Sequence, residues 1–156
     1  MVTHKYRGRA PSAGFTLIEL MVTIVIATIL LSIAIPSYQA QIRKSRRTEA
    51  RNALLDLAAR EERYFSTANA YSQTPADLGY TAFGAANPIG SGYYYLTVTA
   101  TAAAPATNQL ATYTLTATAT GTQVNDTSCR TFTVNQLGQQ SSQDGSTNDT
   151  TTTCWN

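Results

Sequence analysis

From residue 20 to residue 42 the chain carries no charged side chain, a run of 23 residues. At 1.5 Å per helical residue such a run spans roughly 34 Å, enough to cross the hydrocarbon core of a bilayer. One carboxylate, Glu19, stands at its start. A carboxylate at that depth needs a cation or a proton, because an unpaired charge is costly in hydrocarbon. A short basic leader with Lys5, Arg7 and Arg9 precedes the run and ends in Gly14.

The segment Gly14-Phe15-Thr16-Leu17-Ile18-Glu19-Leu20, followed by the apolar run, resembles the processing site of type IV pilins and of the related type II secretion pseudopilins. The resemblance implies cleavage between Gly14 and Phe15 by a prepilin peptidase, with N-methylation of Phe15. It implies an assembly role for Glu19 as partner of a Phe15 amine, either its own or that of a neighbouring subunit. The alternative for Glu19 is snorkelling to the head-group region. Two other readings of the start are weaker. An ordinary secretory signal would have a shorter apolar stretch and a small-residue cleavage site after it, and an ordinary signal anchor would lack the motif.

Residues 15–68 read as one long helix interrupted at Pro36, where the lost backbone bond and the ring clash predict a kink or local melting near residues 33–36. Past residue 41 the pattern becomes amphipathic. Ala50, Ala53, Leu54, Leu57, Ala58, Tyr64 and Phe65 form one stripe, which Glu61 interrupts. Asp56 and Arg60 form an i,i+4 pair on the polar side. Arg43, Lys44, Arg46, Arg47 and Arg51 make a basic collar, read as touching lipid head groups or acidic neighbours, or as a solvated face. The collar outnumbers the leader's three cations, so the positive-inside rule alone would keep the C-terminal part in the cytoplasm. The cysteine pair and the leader motif point outside.

Residues 66–92, broken by Pro75, Gly79, Gly84, Pro88, Gly90 and Gly92, read as a long loop pinned by Tyr71, Tyr80 and Phe83. Three stretches of strict period two follow, at residues 93–101, 112–120 and 130–135. Each has one apolar face, as expected of an antiparallel sheet covered on one side by the helical stripe. Residues 138–153 are nearly free of apolar side chains, so burial cannot order them. Cys129 and Cys154 read as one disulfide closing that tract, worth roughly 3 kcal/mol by loop entropy, and hence as an oxidising compartment. Trp155 beside Cys154 caps the sheet edge or the core. The ending Cys154-Trp155-Asn156 resembles the C-terminal disulfide region of pilins, closest to the E-type minor pilins.

Four regions follow: a leader (1–14), a transmembrane or filament-core helix (15–42), an amphipathic helix half (43–68), and a globular loop, sheet and disulfide region (69–156). The expected fold is α+β, a long N-terminal helix on an antiparallel sheet of about three to four strands. Removing the leader leaves 8 basic against 9 acidic residues, so the basic pI says little about nucleic acid. The only histidine, His4, lies in the leader, and no catalytic triad, metal cluster or phosphate loop is expected. The resemblance implies a non-enzymatic pilus subunit without cofactor, a minor pilin in pilus assembly and surface (twitching) motility. Its implied partners are other pilin subunits, the prepilin peptidase, an inner-membrane assembly platform and, before assembly, membrane lipid. Its implied location is a single inner-membrane pass with a periplasmic domain, then the surface pilus. The alternatives are a type II secretion pseudopilin and a pilus-tip adhesin or DNA-uptake module. Arg130 is the one cation after residue 63, which argues against nucleic acid.

Overall fold

The computed structural model describes residues 14–104, 106 and 108–155. The leader up to residue 13, including His4, lies outside the described residues. Two compact units divide the chain, Met1–Gln39 and Ala40–Asn156, and one helix, α1 (Leu17–Ala68), contributes to both. In the first unit its large apolar side chains are exposed on every side, and α1 is long and apolar enough to cross a membrane. The hydroxyls of Thr23, Thr28 and Ser32 donate to the carbonyls of Leu20, Ile24 and Ile29 at 2.7–2.8 Å. These three hydroxyls are thus satisfied within their own helix, as a segment without water would require. Of the kink or local melting expected near Pro36, the melting is not seen: α1 is helical through it. Proline costs about 3 kcal/mol in a helix interior, but the cost is local and helix propagation resumes on either side.

In the second unit α1 lays Ala50, Leu54, Leu57 and Glu61 against a four-stranded antiparallel sheet. The strands are β1 (Tyr94–Thr101), β2 (Thr112–Ala119), β3 (Thr131–Asn135) and β4 (Gln140–Gln143), in that order across the sheet. Register follows the two-residue period. Leu96, Ala117, Phe132 and Ser142 make one row on the buried face, while Thr97, Thr116, Thr133 and Ser141 make the next row on the outer face. A one-residue slip would turn Leu96, Leu115 and Phe132 to water, so the pattern fixes the pairing. The core is Tyr94, Leu96, Leu115, Phe132 and Val134 beneath Leu54 and Leu57.

The tract after residue 138 is more ordered than its composition predicts. Beyond β4 it forms one short helical turn, α2 (Thr151–Cys154). Hydrogen bonds do the ordering where apolar burial cannot. Ser142 is buried, donates its N–H to Thr151 Oγ1 at 2.9 Å and accepts the Thr150 N–H at 2.9 Å. The Asp144 carboxylate gathers the N–H groups of Ser146 and Asn148 and the Asn148 amide at 2.7–2.9 Å. Trp155 stacks edge-on against Phe132, with 5.7 Å between centroids, and donates Nε1–H to the Ser141 carbonyl.

The loop from α1 to β1 folds back along the free edge of β1. The outward carbonyls of Tyr94, Leu96 and Ala100 accept from Ile89 N–H (2.8 Å), Gly84 N–H (2.9 Å) and the Gln73 amide (2.8 Å). Tyr71 pins this loop by stacking on Phe65 and meeting Tyr113 edge-on, each at 4.6 Å.

Glu61, which breaks the apolar stripe in the sequence, is fully buried. Its Oε2 accepts the Ser72 N–H at 3.1 Å, and its Oε1 has no partner. Burial pushes its pKa above the ordinary value of 4.5, and the nearby Glu62 and Asp77 push the same way against the Ser72 bond. A folded-state value above the unfolded one means that stability is fully present below about pH 4.5 and is lost as pH rises through the raised value. Glu61→Gln cannot ionise. Its stability relative to the parent should therefore increase as pH rises from 4.5 and level off above the raised value, whatever constant offset the amide brings. Urea titrations across that range check this, and a pH-independent difference would show Glu61 to be as ionisable folded as unfolded.

Candidate functional site

The residues singled out at the chain's start sit where α1 begins. Gly14, Phe15 and Thr16 precede the helix, and Phe15 is 84% exposed. Thr16 is the N-cap. Its Oγ1 accepts the Glu19 N–H at 3.3 Å, and its carbonyl accepts the Leu20 N–H at 3.2 Å. Glu19 occupies the third helical position, where the partial positive charge of the helix start favours a carboxylate. Sequence reasoning passed over this local role, although Thr16-Leu17-Ile18-Glu19 has the Thr-x-x-Glu spacing of a capping box. The helix start therefore offers Glu19 partial compensation, while the carboxylate stays exposed and has no cationic partner among the described residues.

The basic collar divides. The Arg46 guanidinium lies over the Tyr93 ring, 3.3 Å from its centroid, and donates to Thr122 Oγ1 at 3.2 Å and Gln123 Oε1 at 3.4 Å. Arg47 makes a bidentate pair with Asp126 at 2.6 and 2.7 Å. Asp126 is only 3% exposed and the Arg47 side chain 21%. Beneath the pair, the buried Gln123 amide donates to Asp126 Oδ2 at 3.0 Å and to the Tyr94 hydroxyl at 3.3 Å, which in turn donates to the Cys129 carbonyl. Burial pushes the Tyr94 hydroxyl up to about 12, so it stays a donor throughout the physiological range. One chain of polar contacts thus runs from α1 to the disulfide strand. Neither the lipid-contact reading nor the solvated-face reading of the collar anticipated this third use of its cations.

One turn on, Glu49 accepts the Ser91 N–H at 2.7 Å and the Ser91 hydroxyl. Gly90 has φ +44°, and a Cβ there would overlap the Glu49 carboxylate, so glycine is required twice over. The Asp56–Arg60 pair is present at 2.7 Å and largely exposed. Cys129 and Cys154 are joined, with Cα atoms 5.8 Å apart and both residues buried. Glu49, Gln123 and Asp126 carried no sequence signal, since their partners lie about 40 to 80 residues away.

The two ion pairs, one largely buried and one solvated, should behave differently. Asp126→Ala leaves a half-buried guanidinium and the buried Gln123 amide short of a partner and should lower unfolding free energy by about 2–3 kcal/mol. Asp56→Ala, at a solvated pair, should change it by less than about 1 kcal/mol. Equal losses in urea denaturation would remove the Arg47–Asp126 network as an anchor of α1.

The family model described as "Type IV minor pilin ComP, DNA uptake sequence receptor" matches residues 36–133. A second, the prokaryotic N-terminal methylation motif, matches residues 9–35. The chain is 37% identical over 67 residues to the type IV major pilin protein PilA of Myxococcus xanthus (strain DK1622), covering 43% of this chain and 30% of that one. It is 40% identical over 77 residues to fimbrial protein Q of Moraxella bovis, covering 46% and 49%. It therefore matches less than half the length of each of these curated relatives. A solved type IV pilin from Shewanella oneidensis aligns with a TM-score of 0.45 at 22% identity, over 63% of this chain and 89% of that one.

Proposed function

The chain belongs to the family of the type IV minor pilin ComP, and from that premise we propose that it is a non-enzymatic structural subunit of a type IV pilus, acting in pilus assembly and surface motility. The observation that carries the reading is the methylation motif over residues 9–35 leading into a helix apolar enough to cross a membrane. On this reading a prepilin peptidase removes residues 1–14 and methylates Phe15. Residues 15–42 hold the subunit in the inner membrane, with the sheet domain in the periplasm, until an assembly platform moves it into the filament. There the same apolar surface packs against other subunits. The Cys129–Cys154 bond supports the exported location. Pro36, helical in this chain, is the place where packing could loosen α1 at least cost.

Glu19 is the assembly residue in this scheme. Held at the helix start without a cation of its own, it is satisfied by the Phe15 amine of a neighbouring subunit, and an unmatched charge in the filament core costs several kcal/mol. The purified membrane form should begin at N-methylated Phe15. Glu19→Val should be cleaved and inserted normally yet be depleted at least tenfold from sheared filaments. Equal amounts of the variant and wild type in filaments would end the assembly role, and a mature chain starting elsewhere would end the processing scheme.

A second reading comes from the family's description as a DNA uptake sequence receptor. Against it, Arg46 and Arg47 are engaged within the domain, and Arg130 is the one described cation after residue 63. A gel-shift assay with the full chain in detergent separates the two. Retarded duplex at physiological salt favours the receptor, and unretarded duplex leaves the structural subunit.

A further inference from the structure

We propose that Arg43 and Lys44 form a binding site for the phosphate group of an anionic phospholipid, used while the subunit waits in the membrane. The inference rests on the membrane reading of α1. By sequence the collar has five equivalent cations, but the fold makes them unequal. Arg46 and Arg47 are held by Tyr93, Thr122, Gln123 and Asp126. Among the described residues the side chains of Arg43 and Lys44 make no hydrogen bond or ion pair.

Their place on the helix explains why. Arg43 precedes Ala50 by seven residues and Leu54 by eleven, so it continues the buried stripe of α1 by two turns. From Ala50 to Leu57, where the sheet covers it, the stripe is apolar. At Arg43 only the main-chain carbonyl is still reached, by the Gln123 amide at 3.5 Å. The next residue on that face is therefore a cation and not an apolar side chain. Lys44 lies about 100° round the helix and is exposed. Both follow Ile42, the last residue of the uncharged run, so they stand at the depth where lipid phosphates begin.

The alternative occupant is an acidic group of a second copy. Among the described residues every carboxylate other than Glu19 already accepts a hydrogen bond within its own chain. Glu19 lies at the far end of the apolar run. The described carboxylates of a second copy thus already have donors of their own, whereas a lipid phosphate at this depth is a charge in search of donors. Each cation near an anionic surface is worth about a fivefold preference.

The test uses the full chain reconstituted into nanodiscs of equal phosphatidylcholine and phosphatidylglycerol, with retained lipids counted by native mass spectrometry. Wild type should retain phosphatidylglycerol over phosphatidylcholine by about tenfold or more. The double variant R43Q/K44Q should retain the two alike. Arg46→Gln should keep the full preference while unfolding at lower urea, because its guanidinium serves the fold. An unchanged preference in R43Q/K44Q overturns the site, as does an equal loss in Arg46→Gln. So does a double variant that keeps its lipids but fails to enter filaments, which would assign the cations to neighbouring subunits. A chain that does not insert into the discs at all removes the membrane reading beneath the proposal, an outcome distinct from insertion without lipid preference.

Discussion

The structure depends on how far the sheet can cover α1. From residue 20 to residue 41 the helix is uncharged and exposed on every side. From Ala50 onward one stripe is covered and the rest is wet. Burying Leu54, Leu57, Leu96, Leu115 and Phe132 on one face contributes about 1.5–3 kcal/mol per side chain, the largest favourable term in so small a sheet domain. That single interface fixes the register of the strands, since each must turn its apolar residues towards the same helix.

Between the uncovered and covered parts of α1 lies a short polar zone, and its chemistry differs from that of both. Arg46 and Arg47 bring charge where the stripe would otherwise need apolar residues. The segment Gly121–Asn125 answers with Gln123, and Asp126 follows it. A bidentate guanidinium–carboxylate pair defines an angle as well as a distance. It therefore sets how the β2–β3 connection meets the helix in a way that greasy contacts, which tolerate sliding, would not. The weak point of the interface is at its other end, where Glu61 is buried with one oxygen unsatisfied.

Much of this architecture was legible in the residues. The apolar run, the helix to Ala68, three of the four strands and the paired cysteines all follow from local periodicity or composition, which survive in a one-dimensional reading. What escaped has a common physical origin. β4 and α2 are held by Ser, Thr and Asp hydrogen bonds, and a polar tract with good partners looks the same as one without them. The partition of the collar depends on Thr122, Gln123 and Asp126, which lie 76–79 residues from the arginines they hold. Pro36 was overread, because a missing donor marks where a helix is weak and not where it must part. At the helix start the Thr16 cap was available in the spacing but was overshadowed by the processing motif around it.

The edges of the sheet carry a consequence for how such subunits can polymerise. An open strand edge is a template for cross-β growth, a hazard for any protein concentrated side by side in a fibre. Here the outward carbonyls of Tyr94, Leu96 and Ala100 in β1 are occupied by Ile89, Gly84 and Gln73. On the far side, Ser142 of β4 is engaged by Thr150 and Thr151, and Gln143 is bridged to Asp149. Part of each edge is therefore already paired, which shortens the stretch of backbone that a crowded copy could add to. Growth by strand addition is hindered along those stretches, which favours association through other surfaces over the amyloid-like alternative.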